Sequence, residues 1–296
     1  MIRVLLLIVF LFAVVFIHAS AGGQGQGSFF SGADAYERFM GRWSRALAPQ
    51  FINFAEVRNG NTVLDVGSGT GALSDSVAAA APSSRIIGID LSTSYVAFAQ
   101  TRHPEERVRF EVGDAQWLRF GDGEFDRTLS LLVINFIPDR AKAMREMIRT
   151  TKPGGIVAAA VWDYGTGMEM LRLFWDEARK LDPSADTQDE RHMPLCRSGE
   201  LTGLWREHGL ENVTEKALQI EMRFLSFEDY WTPFLLGQGP AGVYMSNLAP
   251  AERERLRLRL RQRLLGNGGN RPFRLKARAW AVRGTKSFIV SRHRYR

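Results

Sequence analysis

The stretch VLDVGSGTGAL, residues 63–73, decides how this chain folds. Residues typical of a buried strand lead into it, and Asp65 stands just before the turn. The glycines Gly67, Gly69 and Gly71 then alternate with small residues. Such a loop lets backbone N–H groups approach a ligand closely. The stretch therefore predicts a ligand-binding loop after a strand. The identity of the ligand depends on residues elsewhere in the sequence.

Composition is that of a globular protein. The chain has 296 residues, of which 45% are hydrophobic and 24% charged, enough for one large domain or two small ones. A single cysteine, Cys196, excludes an internal disulfide and a site with several thiolate ligands. The histidines are scattered and none has H-x-x-x-H spacing, so we expect no metal site.

Charge is distributed unevenly along the chain. Residues 251–296 carry 15 Lys or Arg and 2 Asp or Glu, whereas residues 1–250 carry 24 and 30. This basic tail indicates an anionic membrane surface as a partner, while nucleic acid is not expected. The alternative is a solvated helix followed by an arginine-rich terminus, and the sequence leaves both open.

The N-terminus has the pattern of a signal-like or anchor segment. Arg3 precedes an apolar run over residues 4–17, and Ala19-Ser20-Ala21 resembles a cleavage site. The run is shorter than the roughly 20 residues of a membrane-spanning helix. We therefore interpret residues 1–27 as this segment with a Gly/Gln linker, and residues 28–296 as a soluble domain that faces the cytoplasm and is membrane-associated if the segment is retained.

Strands and helices alternate through the first half of the chain. Such alternation predicts a Rossmann-like, doubly wound parallel sheet with helices on both faces. The predicted strands are 61–66, 85–90, 108–114, 125–134 and 155–163, and the predicted helices are 33–57, 71–81, 92–102 and 139–151.

Acidic residues stand at the ends of three successive strands. They are Asp65, Asp90 and Asp114, and Ser130 and Leu131 end the fourth strand. In an open α/β sheet the ligand binds beyond the carboxyl ends of the strands, where strand order reverses. Clustered carboxylates repel one another, so a ligand with several donors is expected between them.

A dinucleotide is one candidate ligand. Gly67-x-Gly69-x-x-Ala72 satisfies the dinucleotide fingerprint, and Asp90 stands at the right distance for a ribose hydroxyl. Against it, Asp65 would face the anionic pyrophosphate, and Asp114 has no role in that fingerprint. A nucleotide triphosphate is excluded, because no Gly-Lys-Ser/Thr follows the glycines.

A nucleoside with a cationic amino-acid arm fits the acidic residues better. Asp65 would lie near the ammonium group, and Asp90 would accept both ribose hydroxyls. Asp114 would accept the exocyclic amine of adenine, with Leu91 and Trp117 on the two faces of the ring. S-adenosylmethionine has these parts.

The chain resembles the class I S-adenosylmethionine-dependent methyltransferases over residues 36–163. The resemblance implies S-adenosylmethionine as cofactor and a seven-stranded sheet whose last strand, 273–285, is antiparallel, with 211–224 as the sixth strand. In detail it looks like the small-molecule branch related to quinone-biosynthesis methyltransferases. The segments that carry it are VLDVGSGTG (63–71), IIGIDLS (86–92), VRFEVGDAQWL (108–118), FDRTLSLLVINFIPD (125–139) and TKPGGIV (151–157).

The predicted cofactor contacts follow the strand ends in order. They are Asp65, Gly67, Ser68, Gly69, Gly71, Asp90, Leu91, Asp114, Ala115, Gln116, Ser130 and Leu131. Neither Asn-Pro-Pro-Tyr nor Pro-Cys follows the fourth strand, which argues against base-modifying enzymes that rely on those motifs.

Two stretches, 163–200 and 225–270, interrupt the core and are predicted to form helical lid insertions. The second is rich in aromatic residues, which either line an apolar acceptor pocket or belong to an ordinary core. The turn 237–242 has the glycines of a hinge. The aromatic residues are Phe227, Tyr230, Trp231, Phe234 and Tyr244.

Methyl transfer is an in-line displacement and needs a base only when the acceptor must lose a proton. Candidates for that base are Tyr36, Asp163, Tyr164 and His192, each of which has an equally good structural interpretation. The sequence therefore predicts a methyltransferase that acts on a small apolar or aromatic acceptor. The alternatives are an NAD(P)-linked oxidoreductase and an RNA-directed methyltransferase or binding protein.

Overall fold

The computed structural model describes residues 32–288. The predicted signal-like segment, residues 1–27, lies outside the described residues. Among the helices of the described part, none is both long and apolar enough to cross a membrane.

A seven-stranded sheet forms the centre of the described part, in the order β3-β2-β1-β4-β5-β7-β6. Strands β1 to β5 pair in parallel, and β7 is antiparallel to both of its neighbours. This confirms the predicted Rossmann-like fold with an antiparallel last strand. The strands are β1 (Thr62–Val66), β2 (Arg85–Asp90), β3 (Val108–Val112), β4 (Phe125–Leu131), β5 (Thr151–Trp162), β6 (Glu211–Phe224) and β7 (Phe273–Thr285).

Helices cover both faces of the sheet, as strands buried on both faces require. A π-helical turn, Glu37–Gly41, joins the first two helices, and the side chains of Ser92 and Asp139 cap α4 and α5. The helices are α1 (Ala33–Tyr36), α2 (Arg42–Phe54), α3 (Ala72–Ala80), α4 (Thr93–Thr101), α5 (Arg140–Thr150), α6 (Glu169–Leu181), α7 (Glu200–Glu207), α8 (Phe227–Trp231), α9 (Gly239–Asn247) and α10 (Pro250–Leu265).

The N-terminal helices begin beside the carboxyl end of β5, and α2 runs along the sheet to the start of β4, where Arg127 donates to the Ala55 carbonyl at 3.1 Å. Trp43, Leu47 and Phe51 recur at helical spacing and are fully buried. The Trp43 ring meets the Trp162 ring edge-on, with centroids 6.5 Å apart. This contact holds the start of α2 beside the carboxyl end of β5.

The five aromatic rings of the second insertion are buried among other rings. Phe234 stacks on Phe174 of α6 with centroids 4.6 Å apart, and Tyr230 packs on Phe224 at 5.7 Å. Phe227 and Phe234 are fully buried. Of the two interpretations that the sequence left open, this packing supports the ordinary core, in which apolar rings bury their surface against one another.

The described part of the basic tail is built into the domain as α10 and β7. Two of its arginines, Arg259 and Arg263, donate to the buried Glu177 carboxylate of α6 at 2.9 and 2.8 Å. Arg278 of β7 pairs with Asp163 and Arg283 with Glu56. These cations therefore form ion pairs within the domain. They give no support to a membrane contact through the tail.

Candidate active site

The glycine loop after β1 is held by the end of β2. The N–H groups of Gly67 and Ser68 both donate to the Ile89 carbonyl at 2.8 Å, and Gly69 N–H donates to Asp90 Oδ2 at 2.9 Å. The three glycines all have positive φ, a conformation that other residues adopt only with strain. Their φ values are 74° at Gly67, 53° at Gly69 and 93° at Gly71.

Asp65 is a buried carboxyl with one unpaired oxygen. Its Oδ2 accepts the Ser74 hydroxyl at 2.8 Å, whereas Oδ1 has no hydrogen-bond partner among the described residues. Burial raises the pKa of Asp65 to about 7. A buried acceptor beside a glycine loop fits a ligand that brings an ammonium group.

Asp90 and Asp114 follow at the neighbouring strand ends. Asp90 Oδ1 accepts Ser92 N–H at 2.8 Å, and Asp114 Oδ1 accepts Gln116 N–H at 2.8 Å. Burial raises the pKa of Asp90 above its ordinary value. Since each carboxylate oxygen has two lone pairs, both groups retain acceptor capacity for a ligand.

The remaining predicted contacts lie along the same edge. The hydroxyls of Ser68 and Ser130 are buried, and neither has a hydrogen-bond partner among the described residues. Leu131 is buried, Ala115 and Gln116 are half-buried and Leu91 is 56% exposed. The parallel register brings them to one edge, with Asp65 paired to Gly88 and Asp90 to Val112.

A cavity lies beside this edge. The space in it that a water-sized sphere can occupy is about 30 Å³. An engineered cavity of about 150 Å³ holds benzene, so this cavity is small for an aromatic ring unless a wall moves. The lining is mainly apolar and comes from the first helices, the ends of β4 and β5, and both insertions: Tyr36, Phe39, Met40, Leu132, Phe136, Trp162, Tyr164, Leu171, Glu190, Gly239 and Pro240.

Two of the four predicted bases line the cavity. Tyr36 and Tyr164 do so, but burial raises the pKa of Tyr36 to about 12 and that of Tyr164 well above its ordinary value. Neither phenol is therefore readily ionised near neutral pH.

The other two predicted bases have structural partners. Asp163 accepts Arg278 Nε at 3.0 Å and the Thr166 hydroxyl at 2.9 Å. Its pKa is lowered, since these hydrogen bonds outweigh its burial. His192 is exposed and pairs with Asp186 at 3.0 Å. Neither lines the cavity, so both are set aside as bases.

Several residues of the site were missed in the sequence. Glu190 lies in the cavity wall, and Glu37 accepts both the Thr70 hydroxyl and Arg45 across the glycine loop. Leu132, which follows β4, has a φ of 66°. A bulky residue in that region is strained, and such strain clusters at functional sites. No local sequence motif marks any of the three.

Comparison with known proteins agrees with this geometry. Residues 64–159 match a family model described as a methyltransferase domain. An uncharacterized protein of Mycobacterium tuberculosis is 29% identical over 174 residues, which cover 56% of this chain and 63% of that protein. The 2-methyl-6-phytyl-1,4-hydroquinone methyltransferase of Synechocystis is 35% identical over 119 residues, 40% of this chain and 37% of that protein.

These matches support a methyltransferase of the class I S-adenosylmethionine-dependent type over the matched part of the chain, residues 64–159. Among solved structures, phosphoethanolamine N-methyltransferase 2 of Haemonchus contortus, in complex with S-adenosyl-L-methionine, matches with a TM-score of 0.54 at 19% identity. That match covers 86% of this chain and 56% of that one, and shows a shared fold. The chain spans less than two thirds of the curated relatives named above, so their activities do not transfer with the family.

Proposed function

We propose that this methyltransferase-family protein binds S-adenosylmethionine and transfers its methyl group to a small apolar or aromatic acceptor. The observation that carries the proposal is the unpaired Oδ1 of buried Asp65 beside the glycine loop. An acceptor buried without a partner is costly, and a ligand ammonium group would satisfy it.

Different residues of the chain would bind different groups of the cofactor. Asp65 would receive the ammonium, Asp90 the ribose hydroxyls and Asp114 the adenine amine, while the space above Gly69 is open for the amino-acid arm. The buried hydroxyls of Ser68 and Ser130 would supply further hydrogen bonds. The bound sulfonium supplies an electrophilic methyl group, and the chain aligns the acceptor and excludes water.

The acceptor would enter the cavity of Tyr36 and Trp162, whose lining favours an apolar partner. The wall that would move is the start of α9, where Gly239 and Pro240 line the cavity. Gly237, just before this helix, and Gly239, its first residue, have φ values of 70° and 64°. Hinge movement there would open the cavity, in keeping with lid insertions at 163–200 and 225–270.

The alternatives meet specific objections. An NAD(P)-linked oxidoreductase would place its pyrophosphate against Asp65, whose carboxylate would repel it. An RNA-directed enzyme would need free cations, but Arg259, Arg263 and Arg278 are paired with carboxylates of the domain.

Calorimetry of the full chain with S-adenosylmethionine and with NAD tests the proposal. We expect saturable binding of S-adenosylmethionine, weakened at least tenfold in Asp65→Asn, and no binding of NAD. The matched control is Asp126→Asn, because Asp126 accepts Thr62 N–H at the opposite edge of the sheet and should not affect affinity. Binding of NAD, or equal affinity in Asp65→Asn, would overturn the assignment.

A further inference from the structure

Glu190 is the carboxylic acid of the acceptor cavity. Among the described residues that line this cavity, no other is an aspartate or glutamate. Glu190 is 3% exposed, and the indole N–H of Trp175, on α6, donates a hydrogen bond to its Oε2. This bond fixes the carboxyl in the wall, because the Trp175 ring is itself fully buried.

The cavity brings this carboxyl to the cofactor side of the domain. Its wall also includes Leu132, next to Val133, which would meet a Cβ on Gly67 at 2.4 Å. Tyr36, on the same wall, packs on Tyr95 with ring centroids 5.3 Å apart, just after the end of β2. The cavity therefore adjoins the glycine loop.

On the basis of the proposed methyl transfer, which this inference presupposes, we propose that Glu190 is the general base and removes the proton from a phenolic hydroxyl of an aromatic acceptor. The acceptor O–H bond breaks, its electron pair stays on oxygen and the proton passes to the Glu190 carboxylate. The oxygen then bonds to the methyl carbon as the carbon–sulfur bond breaks, leaving a neutral carboxyl, an aryl ether and a thioether.

A hydroxyl suits this cavity better than a protonated alkylamine. The buried indole N–H of Trp162, in the same wall, has no partner among the described residues. A phenolic oxygen can donate to Glu190 and accept from Trp162, whereas an ammonium group can only donate. A neutral phenol also enters an apolar cavity without the desolvation cost of a cation.

The surroundings of Glu190 leave it able to exchange a proton near neutral pH. Burial raises its pKa to about 7, which is the range in which a general base is most effective. Arg172, the nearby cation, donates both guanidinium arms to Asp189, and its lowering effect on the pKa of Glu190 is outweighed by burial. The ionisable and polar groups that face Glu190 are Arg172, Trp175, Asp189, Tyr164 and Cys196.

The test compares wild type with Glu190→Gln, which keeps the size and an acceptor for Trp175. The full chain is assayed with S-adenosylmethionine and a panel of phenol, catechol and hydroquinone, and with aniline and benzylamine. We expect aryl ethers from wild type and a loss of roughly 100-fold or more in kcat for Glu190→Gln. With S-adenosylmethionine kept saturating at every pH, wild-type kcat/KM for the phenol should rise with pH to a plateau with a midpoint near 7, and this rise should be absent in Glu190→Gln. The matched control, Asp186→Asn, alters a carboxyl of the same insertion that pairs with Arg179 and His192 and should retain activity.

A second measurement does not depend on turnover. In the complex with S-adenosylhomocysteine, the infrared band of a protonated carboxyl should titrate near pH 7 in wild type and in Asp65→Asn, and vanish in Glu190→Gln. Failure of wild type to bind S-adenosylmethionine would overturn the proposed function. Binding with no phenol methylated, with amines methylated instead, or with full activity in Glu190→Gln would overturn this inference alone.

Discussion

Gly67 and Gly69 stand two residues apart in one loop, yet a methyl group would meet different surroundings at each. At Gly67 an added Cβ would lie 2.4 Å from a Val133 side-chain carbon, and φ is 74°. At Gly69 nothing lies within 4 Å, and φ is 53°. Packing of the fold therefore requires a glycine at position 67, whereas the space beside Gly69 is available to a ligand.

We expect Gly67→Ala to lower the free energy of unfolding by about 2–4 kcal/mol, from overpacking and backbone strain together. Gly69→Ala should lower the free energy of unfolding by only about 1 kcal/mol, because of backbone strain. It should also weaken the binding of S-adenosylmethionine at least tenfold, because the added methyl group fills the open space. Urea unfolding and calorimetry measure the two quantities. Adding Val133→Ala should restore part of the loss at Gly67, and equal stability losses at both glycines would contradict this account.

At the scale of elements, α6 and α10 are joined by one buried acid. The Glu177 side chain is 5% exposed and accepts Lys180, Arg259 and Arg263 at 2.7–2.9 Å. These hydrogen bonds outweigh the effect of burial and lower the pKa of Glu177. A carboxylate held in this way stabilises the fold above its unfolded pKa, and the contribution is lost as pH falls through the folded value.

Glu177→Gln should therefore lower the free energy of unfolding at pH 7 by about 1–3 kcal/mol, because all three cations are partly exposed and remain hydrated. The difference from wild type should shrink toward pH 3. Urea unfolding at several pH values measures it. The control is Glu254→Gln, because Glu254 forms an exposed ion pair with Arg257 within α10. It should change the free energy of unfolding little. A loss that is independent of pH would refute the ion-pair explanation.

The aromatic insertion should respond to mutation as a core. Phe234 is fully buried and stacks on Phe174, so Phe234→Ala should cost about 3–5 kcal/mol in unfolding free energy. Cofactor affinity measured under folded conditions should stay within a few-fold. Leu235→Ala alters a neighbour that is 44% exposed and should cost far less. A stable Phe234→Ala variant with altered acceptor choice would restore the pocket hypothesis.

These elements show what the sequence could and could not predict. β6 and β7 have the bounds that the family resemblance implied, and the helix predicted over 92–102 forms as α4, with Ser92 as a local capping signal. Glu190 was missed because the sequence around it is typical of a polar loop. Its burial depends on α6, which packs over it from outside that segment. The stacking of Phe174 on Phe234 joins residues sixty positions apart and leaves no local pattern.

At the scale of the whole molecule, buried acids with raised pKa and paired acids with lowered pKa give opposite pH dependences of stability. Burial raises the pKa of Asp65 and Glu190 to about 7 and that of Asp90 above its ordinary value. Between their unfolded values near 4 and this folded value, the native state binds more protons, so stability falls as pH rises through that window. Acids with lowered pKa, such as Glu177, act at lower pH instead.

The cofactor-free protein should therefore lose stability between about pH 4 and 7, by roughly 1–3 kcal/mol each for Asp65 and Glu190. Urea unfolding across this range tests it, and the double variant Asp65→Asn with Glu190→Gln should give a flatter profile. Stability that rises steadily to pH 8 in wild type would show that neither carboxyl is held protonated.

Cofactor binding should couple to the same proton on Asp65. At pH 6 this carboxyl is largely protonated, because its pKa is about 7, whereas an α-amino group stays charged below about pH 7.7. Pairing with the ammonium requires the carboxylate, so binding must release a proton, and affinity should rise by up to tenfold per pH unit from pH 5.5 to 7. Calorimetry at pH 6 in two buffers of different ionisation enthalpy measures that release, which we expect to approach one proton per cofactor. Glu190→Gln should release the same amount, since Glu190 lies in the acceptor cavity, and Asp65→Asn should release almost none. Equal release from Asp65→Asn and wild type would mean that the ammonium group binds elsewhere, and would remove Asp65 from the cofactor site.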